Sequence, residues 1–74
     1  EKDPKTRLQE YLQSMKKDLP NYEVSDITGE AHNQTFYVTC QIESLDIATK
    51  NKGSSRRIAE QKSAKEALKI LGVK

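Results

Sequence analysis

The segment from Thr35 to Ile42 carries the pattern that most constrains the fold of this chain. Its side chains alternate with a period of two, which is typical of a β-strand that buries one face. The predicted inward residues are Phe36, Val38, Cys40 and Ile42, and the predicted outward residues are Tyr37, Thr39 and Gln41. The sequence therefore predicts a sheet with an apolar face that other elements must cover.

Two further strands are predicted, one on each side of this segment. The first is Tyr22–Thr28, where Ile27 falls out of phase with the preceding apolar residues and indicates a β-bulge near Asp26. The third is shorter and covers Ile47–Lys52. The connections, including the loop Gly29–Asn33, are too short for parallel crossovers, so the three strands are expected to form an antiparallel meander.

An amphipathic helix is predicted before the sheet. Asp3 supplies an N-cap acceptor, and Pro4 suits the first helical position. Apolar side chains then recur at helical spacing, at Leu8, Tyr11, Leu12 and Met15. Because the residue before a proline avoids the α region, we expect the helix to stop before Leu19-Pro20.

A second helix is predicted after the sheet. Ser54 or Ser55 caps its start, and Gly72 suits its end. Its predicted buried stripe consists of Ala64, Ala67, Leu68 and Leu71. Residues 1–74 are thus expected to form one α+β domain of order α-β-β-β-α, with both helices packed on one face of a three-stranded antiparallel sheet.

Composition limits the ways in which so short a chain is stabilised. Seventy-four residues allow only a small hydrophobic core, and Cys40 is the only cysteine, so no disulfide within the chain contributes. We expect Cys40 to be a buried strand residue and the protein to be cytoplasmic, because small domains without disulfides are typical of reducing compartments. No apolar run approaches the roughly 20 residues of a membrane span, and no signal-peptide pattern is present. Since the chain starts at Glu1, we expect it to be part of a longer protein.

Charge is distributed unevenly along the chain. From Lys50 onward eight basic residues accompany two acidic ones, whereas the first 49 residues carry five basic and nine acidic ones. The net charge of +2 therefore conceals a C-terminal segment of +6. Such separation indicates a partner with a phosphate backbone.

Catalysis finds no support in the sequence. Nucleophilic catalysis needs a nucleophile beside a base, and metal-assisted hydrolysis needs clustered carboxylates or histidines. The chain has one histidine and one cysteine, and its acidic residues are scattered over predicted surface positions. We predict no catalytic residue, no metal ligand and no cofactor in this chain.

The first candidate binding segment is the basic turn at the start of the second helix. It consists of Lys52, Gly53, Ser54, Ser55, Arg56 and Arg57. The glycine would let the backbone approach a phosphate, while the hydroxyls, the charges and the open helix N–H groups would bind it. A solvated helix cap is the less favoured alternative. For the downstream lysines, solubilising charge is the favoured interpretation; they are Lys62, Lys65 and Lys69.

Two further candidate segments carry little positive charge. The polar stripe lies opposite the apolar face of the first helix and consists of Thr6, Gln9, Glu10 and Gln13. Its hydrogen-bonding groups suit a groove lined with hydroxyls better than a run of phosphates. The hairpin loop contains Gly29, Glu30, Ala31 and His32, of which the histidine can donate or accept a hydrogen bond. For either segment taken alone, an ordinary polar surface is the favoured interpretation.

Recognition of a duplex is favoured over recognition of a single strand. Modules that stack unpaired bases present aromatic side chains on a sheet face. Here Tyr37 is the outward aromatic candidate, without a partner of the required pattern, and no GXXG loop of the KH type is present.

Taken together, the three segments resemble a double-stranded RNA-binding domain over essentially the whole chain, and most closely the C-terminal domain of bacterial ribonuclease III. DPKTRLQEYLQ is similar to that family's opening helix, GEAH to its hairpin loop and GSSRRIAEQKSAKEAL to its basic final helix. The resemblance implies that one face spans two successive minor grooves and the intervening major groove, about 16 base pairs of A-form duplex. The polar stripe and the hairpin loop would enter the minor grooves, and the basic turn would bridge phosphates between them.

The sequence departs from this family pattern at two positions. Many members have glycine where Asn51 stands, and asparagine tolerates the same left-handed backbone. Many members also have lysine where Glu60 stands, which removes one phosphate contact. Because Glu60 falls near the buried stripe, we expect no direct role in binding from it.

A ribonuclease III parent would be a magnesium-dependent, homodimeric endoribonuclease whose catalytic carboxylates lie in a separate preceding domain, as the resemblance implies. This chain would then be a monomeric, non-catalytic module that binds double-stranded RNA with little sequence preference and delivers structured precursors of ribosomal and messenger RNA for processing. The alternative is a stand-alone or regulatory double-stranded RNA-binding domain, or a protein-interaction domain.

Overall fold

The computed structural model describes residues 1–74 and shows the predicted order of elements. These are helix α1 (Pro4–Ser14), strands β1 (Asn21–Glu30), β2 (Asn33–Ile42) and β3 (Ile47–Gly53), and helix α2 (Arg56–Ile70), with a short 3-10 turn (Glu43–Leu45) between β2 and β3. The strands form one antiparallel sheet in the order β1-β2-β3. The predicted α+β class and meander are confirmed. Neither helix has the length and apolar character needed to cross a membrane.

The pairing of β1 with β2 explains why Ile27 falls out of phase. The two strands pair without interruption up to Val24, and pairing resumes at Asp26. Ser25 is therefore the extra residue of a β-bulge, which confirms the predicted irregularity. Because a one-residue slip moves side chains to the other face of a strand, the bulge returns Ile27 to the apolar face, opposite Phe36.

The core lies between the inward face of the sheet and both helices. Its buried cluster consists of Leu8, Leu12, Cys40, Ile42, Ala64, Ala67 and Leu68. Because side chains of α1 and α2 share this cluster with Cys40 and Ile42 of β2, the two helices lie on one face of the sheet, as predicted. Each leucine in this cluster stabilises the fold by about 1.5–3 kcal/mol relative to an exposed position.

Helix α1 ends several residues before Leu19-Pro20, where the proline would have stopped it. Met15 is consequently not part of its buried face. The helix ends at Ser14, Lys16 has a φ of +56°, and the Lys17 N–H donates to the Leu12 carbonyl at 2.9 Å. This is the Schellman arrangement of a helix C-terminus. Met15 was predicted to lie on the apolar face of this helix, but it follows the last helical residue and is 37% exposed.

Helix α2 has the predicted signals at both ends. Of the two candidate serines, Ser55 is the N-cap, and its Oγ accepts from the Ile58 N–H at 3.1 Å. At the other end Gly72 has a φ of +75°, and the Val73 N–H donates to the Leu68 carbonyl at 2.9 Å. Glycine occupies the left-handed position here without the steric cost that Lys16 bears in α1.

Two buried hydroxyl groups connect α2 to the sheet. Thr49 Oγ1 on β3 donates to the Ser63 carbonyl, and Ser63 Oγ donates to the Val38 carbonyl on β2, each at 2.7 Å. Buried polar groups are costly unless they are hydrogen-bonded, so these contacts favour one rotation of α2 about its axis. That rotation determines where the side chains at the start of α2 point.

Candidate nucleic-acid interface

The turn of the β1–β2 hairpin is shorter than the sequence predicted. The loop was predicted to span Gly29–Asn33, but Gly29 and Glu30 belong to β1 and Asn33 to β2, so only Ala31 and His32 remain in the turn. Strand pairing continues to Glu30 through Gly29, whose φ of +92° is a conformation that glycine adopts without steric cost. A Cβ at this position would lie 2.5 Å from the Asn33 carbonyl oxygen.

The tip of this hairpin projects beyond the rest of the sheet. Strand β3 ends at Gly53, opposite Phe36, so the strand residues nearer the tip have no third strand beside them. At about 3.3 Å per residue, the turn lies roughly 13 Å beyond this point. Ala31 and His32 are both exposed. The basic turn begins within the last two residues of β3 and continues directly after the strand, so it lies at the base of the projecting hairpin.

The N-terminus of α2 is open to an anion. Ser55 caps the N–H of Ile58, whereas the N–H groups of Arg56 and Arg57 make no hydrogen bond. The first turn of α2 contains these two arginines and no acidic residue. Positive charge at this end opposes the helix dipole. A bound phosphate would satisfy the free donors and offset the unfavourable charge.

Gly53 serves the packing of α2 against β3. The residue is buried, and a Cβ there would lie 2.6 Å from Ile58 Cγ2 and 2.8 Å from the Ala59 backbone nitrogen. Both distances are too short for a Cβ contact, so only glycine lets the first turn of α2 approach the end of the sheet this closely. Helix packing thus accounts for this glycine, whereas the sequence had suggested close approach of a phosphate.

Lys52 lies apart from the rest of the basic turn. It pairs with Tyr37 across the sheet, and strand alternation places both residues on the outer face, away from the helices. Together with Lys50 they line a shallow depression on that face. The structure therefore divides the predicted basic turn, because its serines and arginines lie at the start of α2 while Lys52 points to the opposite side of the sheet.

The polar stripe of α1 and the start of α2 share one groove. Its volume is about 380 Å³, and its lining includes Thr6 and Gln9 of the stripe and Arg57 of the basic turn. Two of the three predicted segments, separate in sequence, thus meet on one face.

The other two members of the polar stripe are exposed on α1. Gln13 makes no side-chain hydrogen bond within the chain, whereas both carboxylate oxygens of Glu10 accept from Lys2 Nζ at 2.9 Å. Because Lys2 partly neutralises this carboxylate, the stripe presents little net charge to a partner.

The N-terminus of α1, in contrast to that of α2, is closed. Asp3 Oδ1 accepts from the Thr6 N–H at 2.8 Å, and Gln61 Oε1 of α2 accepts from the Lys5 N–H at 3.0 Å. The hydrogen bond from the Thr6 backbone holds the pKa of Asp3 below its ordinary value, so this end of the helix carries a negative charge. Arg57 Nη2 lies 3.5 Å from Asp3 Oδ2. Of the two helix N-termini, that of α2 is therefore the one suited to a phosphate.

The carboxylate of Glu60 connects α1 to the start of α2. Its Oε1 accepts from Lys5 Nζ at 2.5 Å, and its Oε2 accepts from Arg56 Nε at 2.7 Å. Burial acts to raise the pKa of Glu60, but the hydrogen bonds from Lys5 and Arg56 outweigh burial and hold it below the ordinary value. The sequence placed Glu60 near the buried stripe, where it is 8% exposed. Nothing in the sequence indicated that Lys5, 55 positions away, would be the partner of Glu60.

The downstream lysines of α2 lie around a different groove. Its lining consists of Asn51, Lys62, Lys65, Glu66 and Lys69, and shares no residue with the groove of the polar stripe. Asn51 is an ordinary strand residue without left-handed backbone, contrary to the comparison made from the sequence, and its Nδ2 donates to Glu66 Oε1 at 2.7 Å. This placement favours solubilising charge for the three lysines.

The side chains capable of chemistry are dispersed or buried. No group of three or more His, Cys, Asp or Glu side chains is arranged to hold a metal ion. Burial raises the pKa of the Cys40 thiol and the pKa of the Tyr22 hydroxyl, so both stay protonated near neutral pH. The surface instead presents an open helix N-terminus with two arginines beside a polar stripe of little net charge.

The profile of the family described as the double-stranded RNA binding motif matches residues 4–71, from the start of α1 to just past the end of α2. The chain belongs to this family. The matched range contains the polar stripe, the hairpin loop and the basic turn, and it confirms the resemblance inferred from their residues.

Curated relatives of this double-stranded RNA-binding domain include two bacterial enzymes. Ribonuclease 3 of Hahella chejuensis is 62% identical over 73 residues, and Ribonuclease 3 of Glaesserella parasuis is 60% identical over 74 residues. The alignments cover 99% and 100% of this chain but 32% and 33% of those relatives. The chain thus spans about a third of the length of the curated relatives it matches.

A solved structure of Arabidopsis HYL1 also resembles this double-stranded RNA-binding domain. The two superpose with a TM-score of 0.80 and 34% sequence identity, over 93% of this chain and 96% of that one. A second set of coordinates, for the first such domain of HYL1, gives a TM-score of 0.72 at the same identity. These superpositions confirm the α-β-β-β-α fold.

Proposed function

We propose that this domain binds double-stranded RNA through one face, formed by the polar stripe of α1, the start of α2 and the tip of the β1–β2 hairpin. The observation that carries the proposal is that Arg57, beside the open N-terminus of α2, lines the same groove as Thr6 and Gln9. A phosphate-binding end next to a neutral hydrogen-bonding surface fits a duplex that presents phosphates and 2′-hydroxyls side by side.

Each part of this face has its own task in the proposed complex. Arg56 and Arg57, with the free N–H groups of α2, bind phosphates across the major groove. The polar stripe hydrogen-bonds 2′-hydroxyls and base edges in one minor groove, and the hairpin turn Ala31–His32 enters the next. Recognition by shape and sugar chemistry leaves little sequence preference.

We also infer that the domain is the substrate-binding module of a ribonuclease III that processes structured RNA such as ribosomal and messenger precursors. The support is 60–62% identity to Ribonuclease 3 over about a third of the length of those enzymes. This chain's own residues do not fit a magnesium site, since no acidic cluster is present. In our proposal the metal and the catalytic carboxylates belong to a nuclease domain outside this chain, and the parent is a cytoplasmic homodimer.

The direct test is a titration of the domain with RNA and DNA duplexes of one sequence, each longer than the footprint of about 16 base pairs. We expect the RNA duplex to bind more tightly, because only RNA offers 2′-hydroxyls to the polar stripe. Affinity should fall with salt, with a log–log slope of about 0.9 per phosphate contact, the value for duplex DNA. Equal affinity for the two duplexes would contradict the proposed hydrogen bonds between the polar stripe and the 2′-hydroxyls.

Two variants separate the contributions to this preference. Gln9→Ala should reduce the ratio of RNA to DNA affinity, because it removes a hydrogen-bonding group from the stripe and no charge. Lys65→Gln is the control, because Lys65 lies in the separate groove behind α2. It should lower both affinities slightly and leave their ratio unchanged.

A further inference from the structure

Glu60 is placed where its negative charge should be a disadvantage for binding RNA. It lies one helical turn after Arg56, on the helix whose N-terminus meets the phosphates in the proposed complex. Its side chain is 10% exposed, and both carboxylate oxygens are engaged by cationic groups. The carboxylate is therefore fixed in position by Lys5 on α1 and by its own helix.

The contact with Arg56 uses one donor of the guanidinium. Nε donates to Glu60 Oε2 at 2.7 Å, and the two Nη groups make no hydrogen bond within the chain. A guanidinium has five N–H donors in a rigid planar fork, so a partner held at Nε leaves the Nη edge available for another anion. The side chain of Arg56 is 56% exposed, so that edge is accessible.

We propose that Glu60 is a positioning residue that fixes the guanidinium of Arg56 at Nε and directs its Nη edge toward a phosphate of the RNA. The inference rests on the proposed function and extends it to a residue that does not itself touch RNA. Because Glu60 also binds Lys5, it fixes Arg56 relative to α1, which carries the polar stripe. The phosphate site and the polar stripe are thereby held in one arrangement before RNA binds. Less conformational entropy is then lost when the complex forms.

The proposal predicts a change opposite in sign to that of simple electrostatics. Removing a negative charge near a polyanion should strengthen binding through the long-range field. Removing the group that orients Arg56 should weaken binding, because an unrestrained arginine loses side-chain freedom when it meets the phosphate. Glu66 provides the matched control, since it is on the same helix but binds Asn51 on the far side.

The first experiment replaces Arg56 by lysine and by alanine and measures affinity for an RNA duplex. Lysine keeps the charge but has a single ammonium, which Glu60 would hold in place of a phosphate. We expect Arg56→Lys to weaken binding about fivefold to tenfold, nearly as much as Arg56→Ala, and both to lower the salt slope by about 0.9. Wild-type affinity for Arg56→Lys would overturn the proposal. This variant changes an exposed side chain and is expected to fold.

The second experiment is a double-mutant cycle between Glu60 and Arg56. We expect Glu60→Gln to weaken RNA binding about threefold in the wild-type background, and to leave it unchanged or slightly tighter in the Arg56→Ala background, where only the lost charge acts. Glu66→Gln should bind as tightly as the wild type or slightly more tightly. Equal or tighter binding by folded Glu60→Gln, or the same loss in both backgrounds, would contradict the positioning role. If Glu60→Gln does not fold, the affinity of Arg56→Lys tests the positioning role.

These outcomes differ from a failure of the proposed function itself. If the domain does not bind double-stranded RNA, the wild-type protein gives no saturable titration. If the domain binds RNA but Glu60 does not position Arg56, the wild type binds normally, and either Arg56→Lys binds like the wild type or the double-mutant cycle shows no coupling between Glu60 and Arg56.

Discussion

Gly53 shows how a residue beside a binding segment contributes to that segment through packing. It lies between the last strand and the arginines at the start of α2. The space that a side chain would need there is occupied by Ile58 and by the backbone of Ala59. The close approach brings the open N-terminus of α2 to the base of the projecting hairpin. Gly53 thus acts on the interface by placing the helix.

Gly53→Ala is therefore expected to destabilise the fold. The added methyl group would meet backbone as well as side-chain atoms, and overpacking of this kind costs about 1–3 kcal/mol. Urea denaturation should show a lower free energy of unfolding, with weaker RNA binding as a consequence of the displaced helix. Unchanged stability together with weakened RNA binding would instead indicate that this glycine is needed for close approach of a phosphate.

At the level of single residues, local roles were predictable and distant contacts were not. Asp3 and Gly72 were identified, and the cap of α2 was narrowed to Ser54 or Ser55, because caps depend on a few neighbouring positions. The partnership of Lys5 with Glu60 and Gln61 joins residues more than 50 positions apart. Nothing in the pattern of the first helix distinguishes a lysine with such partners from a solvated one.

At the level of elements, the two helices end in the same motif with different residues at the left-handed position. In α2 this residue is Gly72, whereas in α1 it is Lys16, with a φ of +56°. An L-residue with a side chain pays about 1–2 kcal/mol in this conformation. The end of α1 therefore contains a strain that a single substitution can relieve.

Lys16→Gly is expected to stabilise the domain by about 0.5–1 kcal/mol, since the greater flexibility of glycine in the unfolded chain offsets part of the relieved strain. The midpoint of thermal unfolding should rise by about 2–8 °C for a chain of this size. Lys17→Gly removes the same charge at the next residue, which does not have positive φ, and should not stabilise. A lower midpoint for Lys16→Gly would show that the unfolded-state entropy outweighs the strain.

The elements themselves were largely predictable, because each has its own hydrophobic period. The phase change at Ile27 even indicated a bulge near Asp26, and the structure places the extra residue next to it, at Ser25. The ends of the strands were less predictable, because Gly29 and Glu30 have no alternating pattern and become strand only through pairing with β2. The end of α1 was missed for a similar reason: Lys16 has no sequence feature that marks a left-handed residue.

At the level of the whole molecule, the uneven charge of the chain is partly balanced in the folded structure. Asp3 lies near Arg57, and Glu60 binds Arg56, so both arginines of the proposed phosphate site have an acidic neighbour. Lys52 points to the outer face of the sheet. The linear count of charge indicated the kind of partner, but the arrangement of the phosphate site depends on which side chains the fold brings together.

The face proposed for binding contains parts of the chain that are far apart in sequence. The polar stripe and Arg57 line one groove, and the hairpin projects from the sheet beside the start of α2. The outer face of the sheet, with Tyr37 and Lys50, lies on the other side of β2 and β3. We therefore expect the binding surface to be confined to one side of the domain.

The most direct test of this claim is a nuclear magnetic resonance titration of the domain with an RNA duplex, following every backbone amide. We expect the largest changes in amide chemical shift in three separate segments, around Thr6–Gln13, at Ala31–His32 and at Ser55–Arg57. We expect small changes on the outer face of the sheet. The largest changes on that outer face, with Arg56 and Arg57 unperturbed, would contradict this claim.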